Sequence, residues 1–205
     1  MSSPDPGARL VDAVVAAVAA LAQPTPVVLI DGPSGAGKST LADRLVRSWP
    51  GPVRPELVRM DELYPGWTGL AAASAQVAEE LLRPLRSTGT GRWCGYDWKR
   101  GEPAEWHPVV ADVPLIIEGC GSLSRASAPL VDLRVWLTAD DEVRKERALA
   151  RDNGSFDAYW DMWQTQFDAF LVREEPVGLA DLVLESGGAA ARTRRSTGAG
   201  TTVVS

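Results

Sequence analysis

Residues 32–40 read Gly-Pro-Ser-Gly-Ala-Gly-Lys-Ser-Thr. They lie between the apolar run Val27-Val28-Leu29-Ile30-Asp31 and the segment Leu41-Ala42-Asp43-Arg44-Leu45-Val46. This is a complete G-x-x-x-x-G-K-[ST] motif in the strand, loop, helix setting it requires. Glycines let consecutive backbone N–H groups curl around a phosphate, and the start of the following helix adds partial positive charge there. A nucleoside triphosphate is the expected ligand. Gly32, Ser34, Gly35, Ala36, Gly37, Lys38, Ser39 and Thr40 form the candidate binding set. Lys38 is expected to reach the β- and γ-phosphates, Ser39 to ligate the bridging Mg²⁺, and Thr40 to donate one phosphate further back. A glycine turn that merely caps a helix needs neither the lysine nor the hydroxyl.

Working outward, Leu10, Val11, Val14, Val15, Val18 and Leu21 recur at helical spacing up to the breaker Gln23-Pro24-Thr25-Pro26. Downstream, Glu56 to Met60 reads as a short second strand. Leu70, Val77, Leu81, Leu82 and Leu85 make one helical stripe over about residues 70–86. Val113 to Ile117 and Asp132 to Leu137 are continuous apolar runs of the kind a parallel sheet buries on both faces. Residues 140–151 and 155–174 read as helices split at Asn153-Gly154, and Leu182 to Leu184 as a last strand. Strands alternating with helices predict an α/β fold with a doubly wound parallel sheet flanked by helices. Residues 1–186 are expected to form one domain, and the Gly/Ala/Thr/Arg-rich residues 187–205 a disordered tail.

The 205 residues suit one domain with a proper core, and the formal charge of −6 argues against a nucleic-acid backbone as partner. Cys94, Cys120 and the lone His107 form no pattern of metal-ligand spacing. The Ala/Val-rich residues 10–22 are interrupted by Asp12 and are too short to span a bilayer. No membrane association and a cytoplasmic location are expected.

Open α/β sheets bind ligands at the carboxyl ends of their strands, so polar residues placed there carry the chemistry. Asp61 directly follows the second strand, where a carboxylate can face the γ-phosphate and accept a proton from an attacking hydroxyl; as a helix or turn cap it would be unremarkable. Glu62 is a second candidate for that duty. Glu118 ends the third strand, a Walker-B-like place for an acid that orients Mg²⁺ or its waters. Two carboxylates and a lysine around one metal suit phosphoryl transfer.

Together these residues resemble the uridine kinase family of P-loop kinases over about residues 25–186. The matching pieces are the 32–40 loop, Asp61-x-x-Tyr64, Tyr96-Asp97-Trp98, Glu118-Gly119, Asp140-Asp141-x-x-Arg144-x-x-Arg147, Arg151-Asp152, and Pro176 followed by Ala180-Asp181. The resemblance implies a P-loop NTPase fold with a kinase-type lid. It implies Asp61 as general base, Tyr64, Tyr96, Asp97 and Trp98 at the acceptor substrate, and Arg147 and Arg151 as phosphate clamps beside Lys38. The histidine and arginine that usually follow Tyr-Asp-Phe in that family, and its Arg-Gly-Arg lid stretch, are absent, so the resemblance does not carry over uridine or cytidine as acceptor.

Arg144, Arg147 and Arg151 share one helical face, which suits a clamp or a solvated salt-bridge face equally. Eight tryptophans are present. Trp67, Trp93, Trp98 and Trp106 fall between strands two and three, as substrate wall or as loop packing. Trp136, Trp160 and Trp163, with Phe156, Tyr159, Phe167 and Phe170, read as core, and Cys120 as a small filler at a strand end. The expected activity is ATP- and Mg²⁺-dependent phosphoryl transfer to a hydroxyl of a small molecule, with nucleosides among the candidate acceptors. The alternative is a nucleotide-binding regulatory ATPase that needs the loop but not Asp61.

Overall fold

The computed structural model describes residues 6–151, 154, 156–186, 193–197 and 200–204, without the side chains of Pro6, Arg151 and the last two segments. Helix α1 (Pro6–Ala19) precedes β1 (Val27–Asp31), and the glycine-rich loop runs into α2 (Lys38–Arg47). Strand β2 (Glu56–Arg59) ends in a 3-10 turn, Met60–Glu62, one residue earlier than the sequence pattern suggests. Then come α3 (Leu70–Gln76), a π-helical stretch (Val77–Leu82) and α4 (Arg83–Thr88). A hairpin of β3 (Thr90–Asp97) and β4 (Glu102–Val110) leads to β5 (Leu115–Glu118) and β6 (Leu133–Ala139). The chain continues through α5 (Asp141–Arg151), α6 (Trp160–Glu174), α7 (Pro176–Leu179) and β7 (Leu182–Ser186).

The order β2-β5-β1-β6-β7 is parallel throughout, giving the doubly wound α/β sheet that the alternating elements predict. Alternation along β1 divides the core between the two faces. Val27 and Leu29 join Leu81, Trp136 and Phe167 on one side, and Val28 and Ile30 join Val14, Leu41 and Leu45 on the other. Both faces are therefore covered by helices, which is why these strands read as unbroken apolar runs.

Three features differ from the sequence reading. The β3–β4 hairpin occupies a stretch to which the sequence pattern assigns no element; its inward positions include Gly91, Trp93 and Gly95, and glycines in a strand weaken the apolar signal. The 70–88 helix widens to π geometry just before Pro84. Proline has no N–H to give and crowds the carbonyl four residues back, so a wider turn relieves both problems. A Cβ on Gly91 would lie 2.1 Å from the Leu81 carbonyl oxygen in that widened turn, so the hairpin needs glycine there.

The third difference lies in the tail, where β8 (Thr193–Thr197) and β9 (Gly200–Val204) extend the sheet antiparallel from β7. Residues 187–192, 198, 199 and 205 lie outside the described residues. The β7–β8 register covers only Leu182 with Arg195 and Val183 with Arg194. The five parallel strands and all described members of both buried clusters precede residue 187. We propose that residues 1–186 are the folding unit. Truncation after Ser186 should leave the calorimetric Tm unchanged, whereas a fall of several degrees would make the added strands part of the core.

Candidate active site

The sheet order sets the carboxyl ends of β2, β5 and β1 side by side, with Arg59 and Ile30 both paired to Glu118. The segments that leave these strand ends therefore meet at one edge: Asp61 after β2, Gly119 and Cys120 after β5, and the phosphate loop after β1. They line one cleft of about 190 Å³, together with Lys38, Ser39, Thr40 and, from α5, Arg147 and Ala148.

The loop is braced on every side. Gly32 has φ +148°, and a Cβ there would lie 1.9 Å from the Leu137 carbonyl oxygen; at Gly35, φ +79°, it would lie 1.8 Å from that of Arg144. Only glycine allows such approach of backbone to backbone. The fully buried Asp31 carboxylate accepts N–H bonds from Gly32 (2.6 Å), Gly121 (3.1 Å) and Leu123 (2.7 Å), tying the loop to the segment after β5. Burial pushes its pKa up to about 7 against these donors and the nearby Lys38 charge. Trp163 Nε1 donates to Ser34 Oγ at 3.0 Å, and Ser186 Oγ donates to the Ala36 carbonyl at 2.5 Å.

Lys38 is 8% exposed. Its ammonium donates to the Pro33 carbonyl (3.0 Å) and to Cys120 Sγ (3.4 Å). Burial works against its charge, but Cys120, Glu118, Asp31 and Asp61 outweigh it and hold the pKa above the ordinary lysine value. Glu118 is buried, and burial raises its pKa despite the Lys38 charge. Its carboxylate pairs with Ser39 and with Arg59 Nη1 (3.0 Å), whose Nη2 reaches Asp43 (2.7 Å). Ser39 and Glu118 are hard oxygen donors that suit Mg²⁺, an ion held by one or two carboxylates plus substrate phosphates. Among the described residues no group of three or more His, Cys, Asp or Glu could hold a metal by itself.

Lys38, Ser39, Thr40, Asp61, Glu118 and Arg147 are thus brought together, with Ser34, Gly35 and Gly37 in the same lining and Gly32 and Ala36 in the loop beneath. The Arg151 side chain lies outside the described residues. Arg144 is buried and committed elsewhere: Nε bonds Asp141 (2.6 Å), Nη1 bonds Gln164 (3.0 Å), and its guanidinium lies over the Trp160 ring. It locks α5 to α6.

The expected acceptor contacts are not in the cleft lining. Tyr64 is 2% exposed; its hydroxyl donates to the Cys120 carbonyl at 2.8 Å, and its ring meets Trp163 edge-on. Burial raises its pKa well above the usual tyrosine value. The Asp97 carboxylate accepts from Lys99 N (2.9 Å) and Arg100 N (3.1 Å), capping the hairpin turn. Tyr96 packs edge-on to Trp98, whose Nε1 donates to the Asp61 carbonyl at 2.9 Å. Sequence reasoning missed Cys120 as a site residue. Its thiol contacts Lys38, Ser34 Oγ (3.5 Å) and the Gly32 carbonyl (3.2 Å), and its place one residue beyond Glu118-Gly119 was the available signal.

A family model described as AAA domain matches residues 28–158. No curated protein matches the sequence at a significant level. Solved structures share the fold. A possible uridine kinase from Bacillus stearothermophilus is 22% identical with a TM-score of 0.59, covering 86% of this chain and 97% of its own. A protein assigned as a fructose transport system kinase from Silicibacter sp. TM1040 is 19% identical with a TM-score of 0.55, covering 82% and 95%. The YGR205w protein is 12% identical with a TM-score of 0.58, covering 92% and 99%. The chain belongs to the AAA-domain family, and its fold is the P-loop α/β fold of the uridine kinase-like proteins.

Proposed function

We propose that the protein is a small-molecule kinase that transfers the γ-phosphoryl group of ATP to a hydroxyl of its acceptor. The observation that carries this reading is the convergence of Lys38, Asp61, Glu118 and Arg147 on the cleft above the phosphate loop. A binding-only site needs the loop and its lysine; a carboxylate at the position of Asp61 adds a place for the acceptor's proton. The kinase names of two proteins sharing the fold point the same way.

The acceptor oxygen forms a bond to the γ-phosphorus as the bond from that phosphorus to the β,γ-bridging oxygen breaks, and ADP leaves. Asp61 takes the hydroxyl proton. Lys38 stabilises the charge that grows on the β- and γ-phosphate oxygens, with Arg147 from α5 in the same lining and the loop N–H groups beneath. Ser39 and Glu118 would hold Mg²⁺, which supplies charge neutralisation between the phosphates. Phosphoryl transfer depends on such placement more than on covalent chemistry by the protein.

The test is ADP release from ATP and Mg²⁺ against a panel of nucleosides, sugars, polyols, vitamins and aminoglycosides, with a no-acceptor control. Release that depends on one class of acceptor supports the kinase. Slow release indifferent to every acceptor indicates a regulatory ATPase instead.

A further inference from the structure

Ser39 and Glu118, the two oxygen donors suited to Mg²⁺, belong to a closed circuit of four side chains. The Ser39 hydroxyl donates to the Glu118 carboxylate. That carboxylate also accepts from Arg59 Nη1 at 3.0 Å, and Arg59 Nη2 donates to Asp43 Oδ1 at 2.7 Å. Asp43 lies four residues after Ser39 on the same face of α2, which closes the circuit. The fold sets this up. Arg59 and Glu118 are register partners on the adjacent parallel strands β2 and β5. Leu57 and Ile116, two residues earlier on each strand, pack with the cluster that holds Leu41 and Leu45 of α2, so strand alternation turns Arg59 and Glu118 toward that helix.

We propose that Arg59, held by Asp43, is a positioning residue for the metal site: its guanidinium fork fixes the Glu118 carboxylate beside Ser39, so that the Mg²⁺ of a metal–nucleotide complex meets donors already aligned. The inference rests on the reading of Ser39 and Glu118 as the Mg²⁺ donors. Two nitrogens of one rigid plane engage two carboxylates at once, a span that a lysine ammonium, a single point of charge, does not reproduce. Asp43 has a second part to play. A guanidinium alone beside Glu118 would cancel the charge that a cation needs. The circuit runs outward from Glu118 through Arg59 to Asp43, with side chains 4%, 28% and 45% exposed, and Asp43 answers the Arg59 charge from the open side. Glu118 is thereby oriented without being neutralised. Groups that touch a metal's ligand rather than the metal change its affinity by about 10- to 100-fold.

The experiment measures by calorimetry the Kd of a non-hydrolysable ATP analogue for wild type, Arg59→Lys and Asp43→Asn, each in EDTA and in excess Mg²⁺. The ratio of the two constants reports the metal site, and the constant in EDTA reports the phosphate loop alone. Neither needs turnover or an acceptor, so failure of the kinase reading appears in ADP release and failure of this proposal in the ratio. Wild type should bind more tightly with Mg²⁺. Arg59→Lys, which keeps the charge and loses the fork, and Asp43→Asn, which frees the outer end of the guanidinium, should each lower the ratio about tenfold and leave the constant in EDTA near that of wild type. The proposal is overturned if either variant, folded by circular dichroism, keeps the wild-type ratio. It is also overturned if binding weakens equally in EDTA and in Mg²⁺, since the circuit would then support the loop and not the metal site. Wild type that binds equally well with and without Mg²⁺ overturns the assignment of Ser39 and Glu118, and this proposal with it.

Discussion

Lys38→Ala should abolish measurable phosphoryl transfer, a loss of at least about 10³-fold in turnover, while the protein stays folded. The buried ammonium belongs to a residue lining the cleft, with four groups that can carry negative charge setting its field. It donates to the Pro33 carbonyl and to the Cys120 sulfur. The carbonyl carries no charge, so a phosphate oxygen can take its place. Removing one preorganised charge from the site of developing negative charge costs about 10² to 10³ in rate by itself, and the loss of phosphate binding adds to that. The fold should tolerate the change because the buried carboxylates keep other partners, backbone N–H donors for Asp31 and Ser39 and Arg59 for Glu118. The assay is ADP release with the best acceptor, alongside circular dichroism; turnover within tenfold of wild type would remove the loop from the mechanism.

The second large effect is expected at Asp61. Asp61→Asn should lower turnover about a hundredfold or more and leave ATP affinity near that of wild type. Asparagine matches aspartate in shape, and the main-chain anchor from Trp98 Nε1 to the residue 61 carbonyl is independent of the side chain. The side chain keeps its shape and loses its negative charge and its capacity to accept a proton. Binding measured by calorimetry and turnover measured separately should therefore part company. Equal turnover in the two proteins would make Asp61 a structural residue of the 3-10 turn. A parallel loss of affinity and rate would place it on the phosphates rather than on the acceptor.

The parts of the fold legible in the sequence are those where a local signal and the tertiary environment agree. A motif set against an apolar run identifies β1 and the loop, and burial on both faces identifies β5 and the Val135–Leu137 centre of β6, because it removes the alternation that would confuse them with a hairpin strand. Asp61 and Glu118 stand out because position after a parallel strand is itself a functional coordinate. The β3–β4 hairpin does not, since two inward positions of β3 are glycines, Gly91 against the Leu81 carbonyl, which leaves Trp93 as the one apolar inward residue of that strand to read. Arg144 and Arg147 cannot be separated by sequence either. Three residues apart on one helix, they differ by a partial turn, and only the packing of Gln164 and Trp160 against the first distinguishes a tie from a clamp. Cys120 has a local signal in its place just after Glu118-Gly119, but its contact with Lys38 follows from the strand order, with β5 beside β1.

The bracing of the phosphate loop has an energetic consequence. Leu137 and Arg144 press on its glycines, Trp163 and Ser186 hold its polar groups, and Asp31 ties down its first turn. The conformational entropy of ordering the loop is surrendered when the chain folds, not when the nucleotide arrives, and preorganisation of this kind appears as affinity. Folding stability and ligand affinity then draw on the same contacts. Residues that never touch a phosphate, such as Trp163 on the far side of Ser34, become part of the binding free energy through the disorder they prevent.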